Sequence, residues 1–277
     1  MPSIRLMALV AVAAAAPAAP VVPSQLGYQV YAVQYGELVG YPVRNLVLGA
    51  DTSRTIDASL MFWVLRSPTR TILVDAGFYR EEFLKAWNIR GFVKPSEALK
   101  KLAIEPSQVT DIVITHLHWD HADGADLFPN AKVWVQKAEF HHYQDPVNQP
   151  RSGVFPVTIA MLEKLNRAGR LKLVEGDSQA VAQGVFVYTG GRHTKESQYV
   201  SVSTGGVEAI IASDNLYLYE NLDRRRPIAA TWDTVSNLQA HDRMRRIAGA
   251  GRLIIPGHDP AVFSRYTLVA PGIAIIR

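Results

Sequence analysis

A dense cluster of metal-binding residue types lies near the middle of the chain, in the run Thr115-His116-Leu117-His118-Trp119-Asp120-His121. In an extended segment alternate side chains share a face, so His116, His118 and Asp120 would point one way and His121 the other. One strand face or helix face therefore cannot carry the cluster, whereas a loop that wraps a pair of metal ions can. Imidazole and carboxylate ligands without sulfur favour zinc, with iron, cobalt, manganese or nickel as alternatives.

Three further candidates stand alone, each just past a stretch with the apolar pattern of a buried strand. His193 follows the strand-like segment 185–189, Asp214 follows 208–213, and His258 follows 253–256. A lone histidine at such a place more often forms a hydrogen bond than binds a metal. Because these three positions accompany an intact cluster, we interpret them as the remaining ligands of the metal pair.

The elements that must position these residues are indicated by the hydrophobic pattern. Alternating or short apolar runs predict strands at 28–35, 59–65, 71–75, 111–115, 132–136, 171–174, 185–189, 199–203, 208–213 and 253–256. Helical spacing predicts helices at 81–87, 96–102, 137–143, 156–168 and 234–248. Two β-rich halves, each finished by helices, predict an α+β fold in which two mixed β-sheets form a sandwich flanked by helices.

The composition is that of an ordinary folded protein. Hydrophobic residues make up 48% of the 277 residues and charged residues 19%, which allows a substantial core and excludes disorder of the body. The chain has no cysteine, so disulfides and thiolate ligands are both excluded. The net charge of +4 comes mostly from dispersed basic residues. We interpret the one arginine cluster, Arg224-Arg225-Arg226, as solvated surface and predict no nucleic-acid partner.

The first residues have the pattern of an export signal. A short basic start at Arg5 precedes an uncharged run from Leu6 to Ala19, and Ala16-Pro17-Ala18 offers a cleavage site of the small-x-small type. The run is too short and too rich in alanine for a membrane span, so we expect no stable membrane anchor. We therefore predict a signal peptide at residues 1–18, a single domain at 19–277, and a periplasmic or secreted protein.

The order His-x-His-x-Asp-His, followed by a distant His, Asp and His, resembles the pattern of the metallo-β-lactamase superfamily. The resemblance covers essentially the whole chain after the leader, and it implies the αβ/βα sandwich of that family with two bound metal ions. It assigns His116, His118 and His193 to one ion, Asp120, His121 and His258 to the other, and Asp214 to the bridge between them. It also implies that Asp75, at the end of an early strand, orients a metal-bound histidine from behind.

Within the superfamily, the chain is most similar to the N-acyl-homoserine lactonases, which are quorum-quenching enzymes. As in those enzymes, the segment Asp214-Asn215-Leu216-Tyr217 places a tyrosine three residues after the bridging aspartate, and the ending Ile255-Pro256-Gly257-His258 is also similar. The chain departs from their pattern at Arg192, where they usually have glycine, and at Thr194-Lys195-Glu196-Ser197, which lacks their Pro-Gly. These departures concern the loop beside His193 and hence the fine substrate preference.

The activity that follows from this resemblance is opening of the lactone ring of N-acyl-homoserine lactones by a hydroxide that bridges the two ions. Tyr217 would stabilise the oxyanion, and Asp120 would pass a proton to the leaving alkoxide. Trp119, flanked on both sides by metal-binding residues, is the best candidate for the wall of an acyl pocket. The expected partner is a small-molecule lactone or ester, and the oligomeric state stays open, with a homodimer as one option.

Several alternatives stay open at this stage. The same metal pair could hydrolyse a phosphotriester, another carboxylester or a β-lactam, because the nucleophile attacks phosphorus as well as carbon. Superfamily members that reduce oxygen generally have a carboxylate in place of His118, which argues against a redox di-iron protein. A metal-binding module without turnover is the non-enzymatic alternative. The remaining histidines are predicted to lie at the surface or at an interface, namely His141, His142 and His241.

Overall fold

The computed structural model describes residues 27–149 and 153–277. The predicted signal peptide at residues 1–18 lies outside the described residues, so the leader and the domain boundary at residue 19 stay predictions. Among the described residues, no helix combines the length and the apolar character that crossing a membrane requires.

The described residues form fourteen strands and eight α-helices. The strands are β1 (Gln29–Pro42), β2 (Thr55–Arg66), β3 (Thr71–Val74), β4 (Ile89–Arg90), β5 (Asp111–Val113), β6 (Lys132–Gln136), β7 (Leu171–Val174), β8 (Gln179–Ala182), β9 (Val185–Thr189), β10 (Gln198–Ser203), β11 (Glu208–Ser213), β12 (Leu253–Pro256), β13 (Thr267–Ala270) and β14 (Ile273–Ile276). The helices are α1 (Glu81–Ala86), α2 (Pro95–Ala98), α3 (Trp119–Ala122), α4 (Lys137–Gln144), α5 (Pro156–Arg167), α6 (Tyr219–Asp223), α7 (Thr234–Ala248) and α8 (Val262–Arg265).

The strands build two mixed sheets. The larger sheet has the order β13-β14-β1-β2-β3-β5-β6-β7, with β4 paired to β1. The pairs from β13 to β3 are antiparallel, whereas β3, β5, β6 and β7 run parallel to one another. The smaller sheet, β12-β11-β10-β9-β8, is antiparallel except for the parallel pair β11 and β12. The prediction of two mixed sheets is therefore confirmed.

Strand β2 shows how the sheets and helices form layers. Its residues Trp63 and Leu65 belong to the apolar layer between the two sheets, together with Val200 of β10. The alternate residues Phe62 and Val64 belong to the layer that contains the apolar faces of α1, α4 and α5. Because both faces of β2 are covered, its sequence is a continuous apolar run rather than an alternating one. Helix α7 packs on the far side of the smaller sheet, so helices cover both outer faces as predicted.

Four strand ends lead directly into the residues of the predicted metal site. In the larger sheet β3 is followed by Asp75, and its parallel neighbour β5 is followed within three residues by His116. In the smaller sheet β11 is followed by Asp214, and its parallel neighbour β12 is followed within two residues by His258. Since parallel strands end at the same edge of a sheet, each sheet delivers its residues to one edge. The sandwich brings these two edges together.

The structure differs from the sequence expectation at several elements. The loop that was expected to carry the whole histidine cluster contains α3, a helical turn with His118 as its N-cap. The helix expected at 96–102 is divided into α2 and a 3-10 turn, which ends at Ala103 in the left-handed conformation. The prediction also missed strands β4, β8, β13 and β14 and the short helices α6 and α8. The apolar runs of β13 and β14 show no clear period, and β14 is defined by pairing with the distant β1.

The start of helix α7 can be tested directly. Asp233 is the N-cap, and its Oδ1 accepts hydrogen bonds from the backbone N–H groups of Val235 (3.0 Å) and Ser236 (3.1 Å). We expect Asp233→Ala to lower the free energy of unfolding by about 1 kcal/mol, because both donors lose their acceptor. Urea denaturation measures the change, with Thr234→Ala at the neighbouring position as control. Equal midpoints for the two variants would contradict the role of the cap.

Candidate metal centre

The backbone turns sharply where the strands deliver the site residues. Asp75 after β3 has φ 61°, Ser213 at the end of β11 has φ 47°, and Arg192 beside His193 has φ 56°. A residue with a side chain enters this left-handed region at a cost of about 1–2 kcal/mol, and such strain is typical of functional sites. Arg192 thus adopts a conformation that glycine would adopt without this cost.

The seven predicted ligands come together in two groups. The candidate ligand atoms of each group lie within 4.8 Å of one another. The first group consists of His116, His118, His193 and Asp214, and the second consists of Asp120, His121 and His258. Apart from the shared Asp214, this is the division that the family resemblance implies.

Asp214 faces both groups with different oxygen atoms. Its Oδ2 lies 3.4 Å from Nε2 of His193 and 3.5 Å from Nε2 of His116. Its Oδ1 lies 3.0 Å from Nε2 of His258 and 3.3 Å from Nε2 of His121. One carboxylate therefore spans the gap between two sets of imidazoles, as a bridging ligand must.

The orientation of the imidazole rings fits a pair of cations. In four histidines the outer ring nitrogen, Nδ1, contacts a group other than the ligands. Nδ1 of His193 lies 2.7 Å from the Ala230 carbonyl, and Nδ1 of His258 lies 2.9 Å from the Ser59 carbonyl. Nδ1 of His121 lies 2.8 Å from Asp75, and Nδ1 of His116 lies 3.0 Å from the Thr115 hydroxyl. The inner nitrogens Nε2 of His116 and His121 are buried and form no hydrogen bond within the described part of the chain. Buried polar atoms are rarely left unpaired, so these inward-facing nitrogens fit bound metal ions.

Burial and neighbouring charges set the protonation of this cluster. Burial lowers the pKa of His116 well below its ordinary value and that of His118 to about 3, and neighbouring imidazoles add to both shifts. Burial alone would raise the pKa of Asp214, but the positive charges of His121 and His258, together with hydrogen bonds from His121 and His193, outweigh burial and hold that pKa well below its usual range. Burial opposes protonation of His121, yet Asp214 and Asp120 raise its pKa well above normal. Without cations, a proton on His121 supplies the positive charge that a metal ion would replace.

Asp75 holds the second group from behind. Its Oδ2 accepts hydrogen bonds from the hydroxyls of Thr115 (3.0 Å) and Ser213 (2.8 Å) and lies 2.8 Å from Nδ1 of His121. Its Oδ1 accepts the backbone N–H of Thr115 at 2.8 Å. Asp75 is fully buried, so it links β5, β11 and His121 rigidly. This is the placement that the resemblance implied for it.

A second buried network lies behind Asp214 and corrects one prediction. The carbonyl of Asn215 accepts hydrogen bonds from Nδ2 of Asn237 (3.0 Å) and from Nε2 of His241 (2.7 Å). His241 is fully buried, so the surface or interface position predicted for it is wrong. Asn237 and His241 are four residues apart on α7 and therefore share the helix face that packs on the sheet. Gly191 approaches so closely that an added Cβ would lie 2.5 Å from the Cα of Asn237.

A cavity of about 210 Å³ opens onto the two ligand groups. Its polar floor contains His118, Asp120, Asp214, Tyr217 and His258, and its walls contain Leu38, Tyr41, Leu46, Ala58, Trp87 and Trp119. The indole rings of Trp87 and Trp119 stack, with centroids 5.6 Å apart and planes inclined by 11°. Trp119 lines the cavity, as the sequence predicted. The sequence analysis did not identify Trp87 or the β1 residues Leu38 and Tyr41 as cavity residues. In the sequence, apolar residues that line a cavity have the same pattern as those that pack in the core.

Tyr217 lies at the edge of the first group. Its hydroxyl is 3.4 Å from Nδ1 of His193, and its ring centroid is 5.7 Å from that of His258. Burial, followed by the negative charge of Asp214, raises the pKa of Tyr217 well above its ordinary value, so the phenol keeps its proton. Tyr219 is placed elsewhere, with the guanidinium of Arg265 stacked 3.7 Å from its ring centroid. The structure thus brings Tyr217, and not Tyr219, to the cavity.

Solved structures of known proteins share this fold. A Bacillus thuringiensis AiiA mutant with N-decanoyl-L-homoserine bound at its active site matches with a TM-score of 0.72 and 21% sequence identity, over 88% of this chain and 98% of that chain. AidC, described as a dizinc quorum-quenching lactonase in complex with a product, matches with a TM-score of 0.67 and 15% identity, over 91% of this chain and 98% of that chain. Both similarities show the two-sheet architecture with flanking helices.

Sequence comparison extends this result from the fold to the family. An N-acyl homoserine lactonase from Bacillus sp. is 26% identical over 219 residues, which are 74% of this chain and 82% of the relative. The sequence profile of the metallo-beta-lactamase superfamily matches residues 61–258 of this chain. This span covers more than half of the chain and contains both ligand groups. The chain therefore belongs to the metallo-β-lactamase superfamily.

Proposed function

We propose that this metallo-β-lactamase hydrolase opens the lactone ring of N-acyl-homoserine lactones. The observation that carries the proposal is the division of the cavity, in which a polar floor with Tyr217 adjoins a wall of stacked indole rings. The substrate has the same division, since a small polar lactone ring carries an apolar acyl chain. The ring would rest on the floor, and the chain would lie along Trp87 and Trp119.

The similar proteins support this class of substrate. The Bacillus sp. relative is named an N-acyl homoserine lactonase, and the AiiA mutant structure holds N-decanoyl-L-homoserine at its active site. An N-acyl-homoserine is the compound that forms when such a lactone is opened by water. With the signal peptide predicted at residues 1–18, we propose that the enzyme meets its substrate in the periplasm or outside the cell.

The proposed centre holds two divalent ions, which we propose to be zinc. When bound, the ions would supply an activated water as nucleophile and a Lewis acid for the lactone carbonyl. The chain contributes fixed positions for them. Asp214 sets the relation between the two groups, while Asp75 and the carbonyl of Ala230 hold the rings of His121 and His193 in orientation.

Tyr217 is placed to stabilise the negative charge that develops on the carbonyl oxygen. Its phenol is protonated and lies on the cavity floor, so it can donate a hydrogen bond without reorganisation of the site. The neighbouring Nδ1 of His193 is already engaged by the Ala230 carbonyl at 2.7 Å. The Tyr217 hydroxyl is therefore not needed as a donor there and stays available to the substrate.

Asp120 is placed to move the proton of the reaction. In the metal-free chain, burial would raise the pKa of Asp120, but the positive charges of His121 and His258 and a hydrogen bond with His121 outweigh burial and lower it. A bound cation would replace those charges, so the carboxylate would start as a proton acceptor. It would take a proton from the attacking water and deliver it to the ring oxygen as the acyl–oxygen bond breaks. Water thus adds to the carbonyl carbon, the ring oxygen becomes the hydroxyl of homoserine, and the product is an N-acyl-homoserine.

A substrate panel tests the proposed function. We expect the zinc-loaded protein to open acyl-homoserine lactones with kcat/KM of about 10⁴ M⁻¹ s⁻¹ or more, within the range usual for an enzyme on its own substrate. A pH-indicator assay measures the acid released from the lactone. An aryl phosphotriester and a β-lactam are assayed separately as alternative substrates. Protein stripped by a chelator serves as control and should regain activity with zinc. Fully metallated protein that opens no lactone, or that prefers the phosphotriester, would contradict the proposal.

The role of Tyr217 can be separated from binding. We expect Tyr217→Phe to lower kcat by about 10²-fold while KM changes little, because the phenol acts on charge that is present only in the transition state. Steady-state kinetics with a lactone measures both constants. Tyr219→Phe is the matched control, since Tyr219 lies two residues on but outside the cavity. A Tyr217→Phe enzyme with unchanged kcat would remove Tyr217 from the mechanism.

A further inference from the structure

Glu139 is a buried carboxylate that neither the ligand groups nor the cavity includes. It lies in the first turn of α4 and has no exposed surface. No lysine or arginine forms an ion pair with it in residues 27–149 and 153–277. A carboxylate buried in this way is costly unless hydrogen bonds and a nearby positive charge compensate it. The position of Glu139 therefore requires an explanation.

The two oxygens of Glu139 join the loops that carry the first ligand group. Oε1 accepts the backbone N–H of Leu117 at 3.1 Å, and Oε2 accepts the backbone N–H of Glu196 at 2.7 Å. Leu117 stands between His116 and His118, and Glu196 follows three residues after His193. Burial raises the pKa of Glu139, whereas the two N–H donors, one on each oxygen, lower it and favour the ionised carboxylate.

We propose that Glu139 is a positioning residue that holds the two loops of the first ligand group together and balances the charge of the cation bound there. The inference rests on the two-metal centre proposed above. Glu139 would then do for the first group what Asp75 does for the second. The two carboxylates contact different groups. Asp75 contacts the imidazole of His121 directly, whereas Glu139 accepts the backbone N–H groups of Leu117 and Glu196 in the two loops.

The balance of charge points the same way. The first group contains three imidazoles, and its only carboxylate is Asp214, which the second group shares. Two divalent cations carry four positive charges. The carboxylates of Asp120 and Asp214 supply two negative charges from within the groups, and Asp75 supplies a third beside the second group. A bridging hydroxide would add one more negative charge, shared by both ions. Glu139 places its charge on the side of the first group, whose only carboxylate is the shared Asp214.

Chelator competition tests this inference without any lactone. Zinc-loaded wild type, Glu139→Gln, Asp75→Asn and Glu163→Gln are dialysed against increasing chelator, and the zinc left per chain is measured. We expect Glu139→Gln to lose one ion at a chelator concentration about 10–100-fold lower than wild type, as is usual when a group behind a metal ligand is altered. The other ion should stay. Glu163 on α5 accepts a hydrogen bond from Gln144 instead of a backbone N–H beside the metal ligands, so Glu163→Gln serves as the matched control.

Two further measurements make the result specific. Proton NMR of the cobalt-loaded proteins shows which imidazoles remain bound, and we expect Glu139→Gln to lose signals of the first group and Asp75→Asn those of the second. Thermal unfolding of the metal-free proteins reports whether the substitution only weakens the fold. Selective loss from the first group, without a matching fall in metal-free stability, supports the positioning role.

The opposite results are equally clear. If Glu139→Gln keeps both ions as wild type and Glu163→Gln do, or loses both together with the stability of the metal-free fold, the inference is overturned. A wild type that holds no metal would overturn both this inference and the proposed function. A fully metallated wild type that opens no lactone, combined with selective zinc loss in Glu139→Gln, would overturn the proposed function alone.

Discussion

A buried carboxylate shared by two sets of imidazoles is the interaction on which the rest of the structure depends. Asp214 lies 3.0–3.5 Å from the inner nitrogens of four histidines, with one oxygen for each ligand group. So many polar atoms are costly to bury together unless cations coordinate and neutralise them. The sheets, the strained turns and the buried hydrogen-bond networks form the scaffold that makes these atoms converge.

The scaffold is stiff because strand ends and short turns, rather than long loops, deliver the ligands. Two parallel strand pairs, one in each sheet, end at the site, and left-handed residues at Asp75 and Ser213 redirect the chain within one position. Helix α7 adds Asn237 and His241, which both donate to the carbonyl of Asn215, the residue after Asp214. These contacts hold the floor of the cavity, whereas its wall includes the stacked side chains of Trp87 and Trp119.

The sequence predicts well which side chains converge at the site, and it predicts poorly the residues that support them, for a physical reason. Histidines and aspartates crowded into one run, or placed just past apolar runs, are visible locally because few other roles need them there. The burial of His241, the pairing of β14 with β1 and the stacking of Trp87 on Trp119 arise from contacts between distant segments. Glu139 likewise has the local pattern of an ordinary acidic residue in the first turn of a helix.

Anomalous diffraction from crystals of the zinc-loaded protein tests the bridging role of Asp214 most directly. Data collected at the zinc absorption edge locate each ion without assumptions about its ligands. We predict two peaks about 3.5–4 Å apart, as in other two-metal hydrolytic sites, one within each ligand group and both in contact with Asp214. A single peak, or two peaks that do not share Asp214, would contradict the dinuclear centre.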